Sequence, residues 1–168
     1  RAQAARAAGA PRLQISRLMG RIEVEAPNRS GGVDCLEPPC LRSGSIIRVL
    51  EGCGAFDSDY HVTVRAGAGD VFQFIAIKPE GGRSGALRIT AIDREPRDIL
   101  VSVADQKFRL GKGGALSITS IWPGELVVRI DSRGVQHAPG SLAKDGALTV
   151  KARAMATGET VVVAVPEE

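Results

Sequence analysis

Apolar and polar residues alternate with a period of two through most of this 168-residue chain. An extended backbone sends successive side chains to opposite faces, so such a run is a strand with one face buried. The alternation predicts strands over residues 20–26, 45–50, 61–65, 70–78, 85–92, 98–104, 106–110, 115–121, 125–131, 147–153 and 160–165. Residues 1–8 are Ala-rich enough for a short helix, which Gly9 and Pro11 would end. The expected fold is therefore all-β, either an antiparallel β-sandwich or two small packed β-domains, with a basic N-terminal tail. A chain of this length builds its core without help from metal or disulfide.

Charge is unevenly placed. Arg1, Arg6, Arg12, Arg17 and Arg21 give the first 21 residues five positive charges and no acid, whereas residues 22–168 carry 17 bases against 19 acids. The basic balance thus belongs to a tail, residues 1–19, with Arg1, Arg6, Arg12 and Arg17 as its partner-docking candidates. Nucleic-acid binding calls for a basic face on the folded part, with aromatic platforms for single strands. Neither is written here, so no nucleic-acid partner is expected. The longest apolar run, Val161–Val165, falls far short of the ~20 residues that cross a bilayer as a helix. No membrane span is expected within these residues.

Cys35, Cys40 and Cys53 lie close together, the first two separated by Leu-Glu-Pro-Pro. A close pair around a Pro-Pro bend reads as a disulfide more readily than as a zinc site, which needs four ligands and finds only His61 nearby. The pairing is open among three possibilities, with one thiol left over. Ala2-Gln3-Ala4 has the form that precedes a signal-peptidase cut, which suggests a processed product. Together these features place the expected protein in the periplasm or outside the cell.

Three runs beginning Gly-Ala-Leu, at Gly85, Gly114 and Gly146, suggest an internal repeat, each opening a hairpin. The first would pair with residues 98–104, the second with 125–131 across Trp122-Pro123-Gly124, and the third with 160–165. The Gly-rich stretch at residues 79–84 has linker chemistry. It divides the chain into an N-terminal β-domain at 20–78 and a C-terminal one at 85–168.

No catalytic or metal constellation is legible. Asp57, Asp59 and Asp70 lack the register of a calcium loop, and Asp is an ordinary turn residue. Gly111-Lys-Gly-Gly114 precedes a strand rather than the helix that a phosphate loop requires, and reads as a hairpin turn. His61 and His137 stand apart with no nucleophile in an elbow. No enzyme activity and no cofactor are expected. Trp122 at a hairpin tip is a possible interface aromatic or sugar platform, while Phe56, Tyr60, Phe72, Phe74 and Phe108 sit where strands need core filling.

Gly20-Arg-Ile-Glu-Val24, Leu41-Arg-Ser-Gly44-Ser-Ile-Ile47 and Val62-Thr-Val-Arg-Ala-Gly-Ala-Gly-Asp-Val-Phe-Gln-Phe74 give residues 15–78 a pattern that resembles the FecR-type β-domain of bacterial envelopes. The resemblance implies a compact sheet used in protein contacts and signal relay, and it transfers no site residues. The expected function is a non-enzymatic exported module acting through protein contacts. Its alternatives are a self-assembling subunit whose tail docks on a neighbour, and a carbohydrate-binding module.

Overall fold

The computed structural model describes residues 11–25, 40–78, 85–92, 99–122, 124–138 and 153–165. Among them are thirteen strands and no helix. The first five are β1 (Leu13–Glu25), β2 (Cys40–Leu41), β3 (Ile46–Ser58), β4 (Val62–Gly67) and β5 (Val71–Ile77). Then come β6 (Ala86–Ala91), β7 (Ile99–Val103), β8 (Gln106–Leu110) and β9 (Ala115–Trp122). The last are β10 (Glu125–Ser132), β11 (Val135–Ala138), β12 (Arg153–Ala154) and β13 (Thr160–Ala164). All the pairings are antiparallel, and they form one curled sheet.

The long strand β3 organises that sheet. Its C-terminal half pairs with β4, from Cys53 to Asp57, while its N-terminal residues Ile46–Arg48 pair with β5. Two arms therefore leave β3 on the same side, one through β4, β7, β8, β11 and β12, the other through β5, β6, β9, β10 and β13. Along the opposite side of β3 lies β1, paired over its whole length.

The alternation that marks the strands also builds the core. Val62, Val64 and Ala66 of β4 are buried, as are Leu87, Ile89 and Ala91 of β6 and Ile99, Val101 and Val103 of β7. Side chains from both arms join in a single apolar cluster. Phe56 from β3 and Phe72 from β5 meet edge to face within it, their centroids 5.2 Å apart, a geometry favoured by the aromatic quadrupole. One core thus takes residues from both sides of the stretch expected to be a linker. Residues 79–84 lie outside the described residues, but the strands flanking them, β5 and β6, are neighbours paired from Phe72↔Ala91 to Ile77↔Ala86.

The chain passes repeatedly from arm to arm through short connections that stack on one another. Gly111 N–H donates to the Gly134 carbonyl at 2.6 Å, Met155 N–H to that of Val135, and Gly158 N–H to that of Ile130. Gly111-Lys-Gly-Gly114 is consequently not the expected hairpin turn, because β8 and β9 lie on different arms. Its glycines serve close approach: a Cβ on Gly114 would stand 2.9 Å from the Gly134 carbonyl oxygen.

Two further expectations are corrected. β6 pairs with β5 and β9, and β7 with β4 and β8, so residues 85–92 and 98–104 do not form a hairpin. The intervening loop is longer than the two to five residues that favour one. β13 pairs with β10, and β12 with β11, while residues 147–152 of the third expected hairpin lie outside the described residues. The expected hairpin between β9 and β10 does form. Finally, the basic tail does not extend to residue 19. Leu13 is fully buried, and Arg17 lies within β1 opposite Ala55.

Candidate interaction surface

β1 and β3 form a two-stranded ribbon that bends from one arm to the other. Register shifts fall between Ile15 and Arg17 and between Arg21 and Ile22, where an extra residue on one strand raises the local twist. Between β4 and β5, residues 49–52 of β3 have β1 as their strand partner on one side only. The ribbon is correspondingly exposed on both faces at Leu18–Arg21 and Leu50–Cys53. Met19 is 62% exposed, Leu50 43%, and Leu18 and Val24 39% each. Leu18 and Met19 are successive in β1 and so lie on opposite faces of the ribbon.

The outer edge of β1 has a described strand partner only at its start. β2 pairs with it at Leu13 and Gln14, and from Ile15 to Glu25 no strand among the described residues pairs with that edge.

Charge is ordered along this strand. Arg17 and Arg21 lie about its middle, Glu23 and Glu25 at its C-terminal end. Arg21 contacts Glu51 at 3.4 Å, and Arg48 contacts Glu25 at 2.9 Å and Glu23 at 3.9 Å. All are well exposed, so they stabilise the fold little and leave the surface field to a partner. Beside them is a depression of about 390 Å³ lined by Arg17, Met19, Cys53, Ala55, Arg65 and Gly67. Cys53 is an exposed free thiol. Cys35 and the side chain of Cys40 lie outside the described residues, as do Arg1 and Arg6.

The remaining sequence candidates are dispersed. Asp57 accepts a hydrogen bond from Thr63 Oγ1 at 2.9 Å, and Asp59 a long one from Arg12 N–H at 3.4 Å. Asp70 is fully buried near Val49 and accepts from Gly67 N–H at 2.7 Å, closing its own turn. From Val49 to Asp57 the strand advances roughly 26 Å, so the three carboxylates do not converge. No cluster of three metal-ligating side chains occurs among the described residues. His61 occupies a turn with φ of 59°. His137 sits in β11, a strand absent from the sequence reading. Its ring stacks on Phe108 with centroids 4.7 Å apart, and Nε2 lies 2.8 Å from Gln106 Oε1. Burial pushes its pKa below the usual histidine value, helped by Arg153 and opposed by Glu159. Trp122 ends β9 opposite Glu125, and its side chain lies outside the described residues.

A larger open depression, about 800 Å³, lies where the arm-to-arm connections stack, with Arg109 and Arg133 on its lining. Among the described residues its walls carry no carboxylate, imidazole or thiol. The first half of β1 escaped the sequence reading because Arg17-Leu-Met-Gly20 interrupts alternation, as residues exposed on both faces must. The signal that marks it is Leu13 and Ile15 alternating with Gln14 and Ser16. Comparison of the chain with family models, curated proteins and solved structures finds no match.

Proposed function

We propose that this protein is an exported, non-enzymatic β-module that works through protein contacts at the cell envelope, with the exposed apolar side chains of the β1–β3 ribbon as its contact surface. The observation that carries the reading is the exposure of the large apolar side chains of Leu18, Met19 and Val24 on β1 and of Leu50 on β3, which supports a use in recognition. The cysteine cluster and the FecR-like pattern of residues 15–78 support the compartment. Donation of residues 11–19 to a neighbour is disfavoured, because β1 already pairs with β3 there.

Site-specific photocrosslinking in cells tests the proposal. A photoreactive residue at Met19 should give light-dependent adducts in the envelope fraction. The same group at Arg129, exposed on β10, should give none. Equal labelling at both positions, or no adduct at Met19, would overturn it.

A further inference from the structure

We infer that the outer face of the arm running through β4, β7, β8, β11 and β12 holds an extended acidic segment of a partner protein, laid across the strands along a row of arginines. The inference shares with the ribbon contact only its reading of the partner as a protein. Cross-strand register builds the row. Arg17 of β1 stands opposite Ala55 of β3, Ala55 opposite Arg65 of β4, and Arg65 opposite Leu100 of β7. From Leu100 it continues to Arg109 of β8, Gln136 of β11 and Ala154 of β12. Residues directly opposite in a sheet share a face, and this one points away from the core, since Val64, Val101, Phe108 and Val135 beside them in sequence are buried. Arg17, Arg65, Arg109, Gln136 and Ala154 are exposed, and Leu100 is half-buried.

Successive arginines in the row are two strands apart, about 10 Å. No carboxylate among the described residues pairs with Arg17, Arg65 or Arg109. Asp57, on the same face two residues from Ala55, accepts from Thr63 Oγ1 instead. Lys107, two residues from Arg109 on β8, adds a fourth cation. The row also joins the two depressions: Arg17, Ala55 and Arg65 line one, and Arg109, Gln136 and Ala154 line the other.

The chemistry of the occupant follows. Like charges held in line repel one another, and an anionic chain whose charges recur at the same interval relieves them. A polyproline II segment turns once in three residues and advances about 3.1 Å per residue, so acids at every third position come about 9 Å apart. Ala55 and Leu100, between the arginines, give small apolar residues of that segment a surface to rest on. Single-stranded nucleic acid fits less well, because no aromatic platform for its bases stands in the row.

The experiment is calorimetric titration of the full chain with a peptide of four Glu-Pro-Ala repeats and with its counterpart of four Gln-Pro-Ala repeats. The acidic peptide should bind and the neutral one should not. Arg65→Glu and Arg109→Glu should each weaken binding about fivefold or more. Lys78→Glu, exposed beyond β5 on the other arm, should leave it unchanged, while urea midpoints confirm that every variant is folded. Absence of binding, equal affinity for the two peptides, or indifference to Arg65→Glu and Arg109→Glu would overturn the inference. So would a single-stranded oligonucleotide of equal charge that binds through the same arginines more tightly than the peptide, which would assign the row to nucleic acid. Met19 adducts that persist in Arg65→Glu/Arg109→Glu, with no peptide binding, would reject the acidic segment and leave the ribbon proposal standing.

Discussion

Gly20 of β1 stands directly opposite Gly52 of β3, and neither position has room for a side chain. A Cβ on Gly20 would lie 2.0 Å from the Glu51 carbonyl oxygen, and one on Gly52 would lie 1.7 Å from that of Met19. Both have positive φ, 122° and 75°, which glycine adopts without steric cost. This pinch is where the ribbon turns from one arm to the other, so it sets the shape of the exposed surface as well as the fold.

Gly20→Ala should therefore lower stability by roughly 3 kcal/mol, the sum of left-handed strain and backbone overlap. Gly69→Ala is the control: its φ is 93° but nothing lies within 4 Å of the added carbon, so a loss of roughly 1 kcal/mol is expected. Urea unfolding measures both. Equal losses would show that the ribbon is not pinched at Gly20.

Asp131 on β10 ties together the solvent face of the second arm. Its side chain, 3% exposed, accepts from Arg88 Nε and Arg129 Nε at 3.2 Å each and from Ser117 Oγ. Asp131→Ala should cost about 2 kcal/mol, because it leaves partly buried donors without an acceptor. Arg129→Ala, at a side chain 63% exposed, should cost less than ~1 kcal/mol. A reversed order in denaturant midpoints would contradict this placement of the network.

His137 gives stability a pH dependence of defined sign. Its folded pKa is depressed, chiefly by burial, so the unfolded chain binds the proton more readily. The stabilisation is complete above the ordinary histidine value of about 6.5 and is lost as pH falls through the folded value. Glu159 is also depressed, chiefly by the Ala156 N–H, with help from Arg153, and its contribution fades at more acid pH. His137→Phe keeps a ring against Phe108 and should flatten the upper slope while sparing the lower one. Unfolding midpoints between pH 4 and 8 measure this, and an unchanged upper slope would remove His137 from the explanation.

Strand identity was legible because burial on one face writes itself as alternation. Val62, Val64, Ile99, Val101, Leu116 and Ile118 were found that way and are all buried. Pairing was not legible, since an apolar face such as Leu87-x-Ile89-x-Ala91 fits any neighbour with the same pleat. Gly111 and Gly114 read as turn formers in the sequence, although their role is close approach to Gly134 between stacked connections. Two segments escaped for opposite reasons. β11 is short and lies among the Gly and Pro around His137, and in β1 the alternation of Leu13 and Ile15 breaks off at Arg17–Gly20, where solvent reaches both faces.

Hydrogen exchange resolved along residues 13–25 tests most directly whether β1 is an integral strand. The amides of this segment that are bonded to β3 should be protected. Uniformly rapid exchange across residues 13–25 would contradict this, since the segment would then be a tail and no ribbon would exist for a partner to meet.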